Sequence, residues 1–265
     1  KAVNNINKII MSLAIKKILP KFYRFTKNIS GKIPMHVSLW DNKSYNLNYR
    51  IYKMINQWKS GELKEEADIV YQYYKGGDLI DVGALSGFYS FLLSPKANND
   101  DHFISCEPDH NIHSELFNNL SILKNNFNKI NFSVFSTPVN NGKEVVIAHD
   151  DWGHPCFLEF EQLKNTDISF AKKFKSTSID KIVANFSLNP SFIKIDTEGA
   201  ELDILKGMEE TLKNFRPMIM LEKHPTMIPQ TVSLDMIDSL LKKNNYKVEK
   251  LINKSNLTIR EIWKK

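Results

Sequence analysis

The chain has 265 residues, 42% of them hydrophobic and 11% aromatic, with only 10 Gly, 10 Pro and 2 Cys. That balance supports a hydrophobic core and excludes a collagen-like chain, low-complexity disorder and a small disulfide-stapled scaffold. The net charge is +6, but residues 1–40 carry eight basic residues and no acid, which leaves 28 basic against 30 acidic residues in the rest. The basic excess therefore belongs to the N-terminal stretch and not to a folded body that would grip nucleic acid, so no nucleic-acid partner is expected. Cys106 and Cys156 have no paired metal-ligand spacing and point to a reducing compartment.

In residues 2–18, Val3, Ile6, Ile10 and Leu13 share a helical face, with Lys1, Asn5, Lys8, Ser12 and Lys16 opposite. This predicts a basic amphipathic helix ending near Pro20. Such a helix suits peripheral contact with an anionic membrane, and equally suits packing on its own domain or on a second copy in a homo-oligomer. No run is long enough to span a bilayer, and the short apolar stretch 9–15 is followed by charge where a cleavage site would lie. A cytoplasmic location, with or without peripheral membrane contact, is the expectation. Residues 1–45 read as a basic extension whose second half, 21–45, is a connector. Residues 46–75 read as a helical lead-in broken near Ser60-Gly61, and 76–265 as the main domain.

From Gly76 the pattern alternates. Strands are predicted at 79–83, 102–108, 130–139, 144–150, 192–196, 217–222, 246–252 and 257–263. Helices are predicted at 88–94, 112–126, 200–215 and 234–245, with a loop-rich stretch after 150. Alternating strands and helices indicate an α/β fold with a parallel sheet covered on both faces. The last two strands have no room for a crossover helix and predict an antiparallel hairpin at one edge.

Two clusters carry chemistry. In GDLIDVGALSGFYS (77–90) a strand delivers Asp81, the chain turns at Gly83, and Gly87 opens a helix. Glycines there admit a ligand close to backbone N–H groups at a helix start. Glu107, at the end of the next strand, is placed to take ribose hydroxyls. The spacing lacks the G-x-G-x-x-G of dinucleotide binders, and Asp81 would repel a pyrophosphate. A cationic nucleoside, S-adenosylmethionine, fits that charge better.

The second cluster is FIKIDTEGAELDILKG (192–207) with MLEKHP (220–225). At the carboxyl ends of central strands, Asp196, Glu198, Glu222 and His224 would converge on the ligand crevice. Asp196 or His224 could serve as a base. Glu201 reads as a helix-start acid complementing the dipole. Lys194, inside a buried strand, needs a partner such as Asp196 or a cofactor carboxylate. Asn189-Pro190-Ser191-Phe192 looks like the tetrad of amino-methylating enzymes but precedes its strand, so it is not read as a site. His149, Asp150, Asp151 and His154 read as a solvated turn, no metal is called, and Trp152 and His154 are candidate substrate-lining residues.

These segments, with FIKIDTEGAELDILKGMEETLKNFRPMIMLEKH above all, resemble the FkbM-type S-adenosylmethionine-dependent methyltransferases over roughly 76–225. The resemblance implies a Rossmann-like class I methyltransferase fold with a mostly parallel seven-stranded sheet. It further implies O-methylation of a hydroxyl on a sugar, glycan or polyketide-type metabolite. By that pattern Asp81, Gly83 and Gly87 hold the methionine half, Glu107 the ribose, and Asp196 and Glu198 lie by the methyl. Ser86 in the same loop is a further candidate cofactor contact, although the family usually carries Asn nearby, and STPVNN (136–141) also departs from the family's adenine-side pattern. The alternatives are N-methylation of an amide or amine, and a module that binds S-adenosylmethionine without transferring its methyl.

Overall fold

The computed structural model describes residues 34–38, 44–149, 155–158 and 172–265. The predicted basic helix 2–18 and the candidate substrate residues Trp152 and His154 lie outside the described residues.

The first described element is a hairpin, β1 (Pro34–Ser38) with β2 (Ser44–Asn48), paired antiparallel from Pro34–Asn48 to Ser38–Ser44. This differs from the expected connector. Strands of five residues take their order from cross-strand pairing and leave no readable period in either strand alone. Helices α1 (Tyr49–Ser60) and α2 (Lys64–Tyr73) follow, with the break at Gly61 where the sequence predicts it.

The main sheet uses β3 (Asp78–Val82), β4 (His102–Cys106), β5 (Asn131–Phe135), β9 (Pro190–Ile195), β10 (Met218–Lys223), β11 (Lys247–Lys254) and β12 (Ile259–Lys264). Its seven strands run in the order β11-β12-β10-β9-β3-β4-β5. Every pairing among β10, β9, β3, β4 and β5 is parallel, whereas β12 is antiparallel to both neighbours. A second sheet of three strands, β6 (Glu144–His149), β7 (Pro155–Leu158) and β8 (Lys172–Lys175), is inserted between β5 and β9.

The helices divide between the two faces. On one, Ile51 and Ile55 of α1, Val70 of α2, Phe91 of α3 (Phe88–Leu93) and Leu116, Leu120 and Leu123 of α4 (His110–Asn126) bury against Leu79, Phe103 and Phe192. On the other, α5 (Ile179–Phe186), α6 (Glu201–Lys206), α7 (Glu209–Asn214) and α8 (Leu234–Lys243) bury apolar residues against Ile80, Ile104, Ile193 and Ile219. Successive strand residues such as Phe192 and Ile193 serve opposite faces, as a pleated strand requires. The result is a three-layer, doubly wound α/β fold.

Two local differences have physical causes. The helix expected over 200–215 is split into α6 and α7 at Gly207, where the carbonyl of Asn140 comes so close that a Cβ would lie 2.3 Å from it. Within the stretch read as loop-rich, α5 is capped by Ser178, whose side chain accepts from the Lys181 N–H. Ile179, Ile182 and Val183 then fall on one buried face.

Candidate active site

The strand order reverses between β3 and β9, and both end at one crevice. In open α/β sheets this switch point is where ligands bind. Register places the key side chains: Asp81 pairs with Lys194 across β3 and β9, and Glu222 pairs with Arg260 across β10 and β12.

After β3 the chain passes through Gly83 (φ 79°), Leu85 (φ 50°) and Gly87 (φ 89°) into α3. A Cβ on Gly83 would sit 1.8 Å from the Asp196 carbonyl oxygen, so only glycine lets the two strand ends approach. Gly87 packs on Leu116 and Leu120 of α4. The Ser86 hydroxyl is buried and turned toward the Met54 sulfur at 3.7 Å, and the Ser86 carbonyl accepts from Asn119 at 2.8 Å. Its side chain therefore secures the loop to α1, which differs from the expected contact with a cofactor.

Asp81 is wholly buried, and neither carboxylate oxygen has a hydrogen-bond partner. Burial pushes its carboxyl above the ordinary range, against the pull of the Lys194 ammonium 3.4 Å away. Lys194 donates to the Gly83 carbonyl at 2.8 Å and lies 3.3 Å from Asp196. Its burial opposes the charge, yet Asp196, Asp81 and Glu222 outweigh that and hold it above its ordinary value. The expected pairing of Lys194 with Asp196 is thus present.

Glu107 follows β4 and is 5% exposed. Its Oε2 accepts from the Leu85 N–H at 3.0 Å and its Oε1 from the Asp109 N–H at 2.9 Å. Burial raises it to about 7, against the lowering effect of those two donors. Each oxygen keeps a second lone pair for a hydroxyl donor.

At the ends of β9 and β10, Asp196, Glu222 and His224 meet. His224 Nε2 lies 3.4 Å from Glu222 Oε1 and 3.7 Å from Asp196 Oδ1, while Nδ1 bonds Glu201 Oε1 at 2.9 Å. Glu201, read from sequence as a helix-start acid, is fully buried and also accepts from the Gly199 N–H at 3.0 Å. Arg260 grips Glu222 with two bonds of 2.7 Å and lies 3.2 Å from Glu66, whose carboxylate also accepts from the Tyr89 hydroxyl. Glu198 follows Asp196 in a left-handed turn (φ 53°), a strained geometry of the kind found at ligand sites.

His224 differs from the sequence expectation in one respect. Burial pushes its ring down, but the hydrogen bond it gives to Glu201 and the nearby carboxylates of Glu222 and Asp196 lift it to about 10. A ring held protonated at neutral pH has no lone pair to take a proton, which favours Asp196 over His224 of the two bases expected. Burial likewise pushes Glu222 up, but His224 and Arg260 together hold its carboxyl below the usual range. Asp196, with a side chain 32% exposed, is the carboxylate of this group that opens to solvent. Arg260, Glu66, Tyr89 and Glu201 are parts of the site that sequence reasoning missed. Arg260 beside Glu261, among the apolar residues Ile259, Ile262 and Trp263 of β12, was the available signal.

The residues fit S-adenosylmethionine. Orphaned buried carboxylate oxygens on Asp81 and the open carboxylate of Asp196 suit an ammonium and a sulfonium, and Glu107 stands one strand away for a ribose. Strand order and donor set together define a Rossmann-like fold of the class I methyltransferase type.

A family model for the methyltransferase FkbM domain matches residues 81–248, well over half the chain. The chain belongs to that family, and membership implies S-adenosylmethionine as methyl donor. No curated protein sequence matches it. Among solved structures, the methyltransferase FkbM of Methylobacillus flagellatus KT is similar at 17% identity and a TM-score of 0.48, over 71% of this chain and 44% of that one. Trm5b of Pyrococcus abyssi is similar at 15% identity and a TM-score of 0.43, over 76% of this chain and 48% of that one. The chain spans less than half the length of these two proteins.

Proposed function

We propose that the chain transfers the methyl group of S-adenosylmethionine to a hydroxyl oxygen of a sugar, glycan or polyketide-type acceptor. The observation that carries this reading is the position of Asp196. Its carboxylate is partly open to solvent at the switch point, its backbone abuts Gly83, and Lys194 links it to Asp81.

S-adenosylmethionine supplies an electrophilic methyl on a sulfonium, so the chain's task is to orient, desolvate and balance charge. In this reading Asp81, Gly83 and Gly87 shape the methionine side and Glu107 receives the ribose hydroxyls. Asp196 and Glu198 lie beside the methyl. Asp196 takes the hydroxyl proton, a role open to a carboxylate at the crevice and closed to a protonated His224. Trp152 and His154 are proposed to line the acceptor pocket. A cytoplasmic setting and peripheral attachment through residues 2–18 are part of the same proposal, supported by the basic excess there. Among the described residues no helix is long and apolar enough to cross a membrane.

The test is formation of S-adenosylhomocysteine against a panel of sugar, glycan, polyketide and amine acceptors. Turnover with hydroxyl acceptors alone supports the reading, and turnover confined to amines contradicts it.

A further inference from the structure

Asp196, Glu222 and His224 each present one donor atom, and these atoms lie within 4.8 Å of one another. The contacts of His224 Nε2, 3.4 Å to Glu222 and 3.7 Å to Asp196, are long for hydrogen bonds. Adjacent ligands around a cation with bonds of about 2.0–2.3 Å stand roughly 3 Å apart, so a small inward shift closes the shell.

Two further observations point to a cation. Glu201 is fully buried behind the imidazole. One of its oxygens holds Nδ1, and the other, Oε2, is buried without a hydrogen-bond partner. A carboxylate tied to the far nitrogen of a histidine is the arrangement that orients metal-binding imidazoles. Charge is also in surplus. Asp81, Asp196, Glu201, Glu222 and Glu66 are joined through ion pairs and hydrogen bonds, and even with His224 protonated these five carboxylates face three cations, Lys194, Arg260 and His224.

We propose that Asp196, Glu222 and His224 bind a divalent cation of the Mg2+ or Mn2+ class, beside the position where the acceptor hydroxyl is held. Two carboxylates with one imidazole favour such a cation over a soft one. The cation takes the place of the ring proton on Nε2. The use of this site rests on the methyl-transfer reading, and its existence does not. Drawing electron density from the acceptor oxygen eases loss of its proton, which goes to solvent by way of Asp196 or water. A C–O bond then forms at the methyl carbon, and the C–S pair returns to sulfur. The products are a methyl ether, a neutral thioether and one proton.

The test uses the full chain after chelator treatment, titrated with Mn2+ and read by electron paramagnetic resonance without methyl donor. The expected result is one Mn2+ per chain, weakened at least about tenfold by Asp196→Asn and by Glu222→Gln. Glu201→Gln is expected to weaken it by about 10- to 100-fold, the range for lost outer-shell support. Asp203→Asn, at an exposed side chain, should change nothing. Thermal melts establish that each variant is folded. Absence of stoichiometric uptake by the folded parent, or equal uptake by all folded variants, overturns the proposal. Calorimetry of S-adenosylmethionine with the metal-free chain separates the two readings. Donor binding without Mn2+ uptake removes the cation alone, whereas Mn2+ uptake without donor binding removes the methyl-transfer reading alone.

Discussion

Arg260 and Glu222 face each other in register across β12 and β10, joined by bonds of 2.7 Å from Nε and from Nη2. Such a fork-to-fork pair fixes a carboxylate in both position and rotation. Both residues stand largely out of water, so the pair also carries a desolvation cost that only good geometry offsets. The antiparallel strand thus braces the wall of the crevice, and Arg260 lies beyond the family-matched residues 81–248.

Replacing Arg260 by Leu leaves Glu222 buried without its partner. The expected cost is about 3–5 kcal/mol of folding stability, read by denaturant unfolding. Arg260→Lys keeps the charge and loses the fork, so its cost should be smaller. A leucine variant as stable as the parent would show that the pair contributes nothing.

Gly83→Ala tests the loop. A Cβ 1.8 Å from the Asp196 carbonyl, at φ 79°, forces the ends of β3 and β9 apart. Loss of about 1–3 kcal/mol is expected from the overpacking, with further cost from the backbone strain. S-adenosylmethionine affinity should fall with it. An unchanged melting temperature would mean the strand ends can separate freely.

Much of this was legible in the sequence for a definite reason. Buried parallel strands such as FIKID are continuous apolar runs, and Gly83 and Gly87 mark a turn that few other residues can make. The hairpin of β1 and β2 was not legible, because strands of five residues are too short to carry a readable period. The role of Glu201 was hidden because an acid at a helix start already has a sufficient local explanation. The charge state of His224 was hidden as well. It depends on three carboxylates brought together from β9, β10 and α6, and no local stretch of sequence shows that convergence.

Glu107 sets a pH dependence. In the native chain it titrates at about 7 against an ordinary value of 4.5, so between these the folded state holds the extra proton and stability falls as pH rises. Ribose hydroxyls need the carboxylate, so donor affinity should rise with pH through about 7 and then level. Glu107→Ala should lower affinity at pH 8 by about tenfold or more and flatten that profile. Affinity independent of both pH and the substitution would remove Glu107 from the cofactor site.

His224 gives a slope of the same sign over a higher pH range. Its native value of about 10 lies above the ordinary 6.5, so its stabilisation is fully present below about 6.5 and is lost as pH rises through 10. In the metal-free chain its ring resonances should remain those of an imidazolium at pH 8. A midpoint near 6.5 by nitrogen-detected magnetic resonance would contradict the carboxylate cage and restore His224 as a base.

The central claim is that the crevice between β3 and β9 holds S-adenosylmethionine. Calorimetric titration of the full chain with S-adenosylmethionine, and separately with NAD, tests it most directly. The account predicts one S-adenosylmethionine per chain, weakened by Glu107→Ala, with NAD showing no saturable heat. Saturable NAD binding at similar strength, or no S-adenosylmethionine binding by the folded chain, would contradict it.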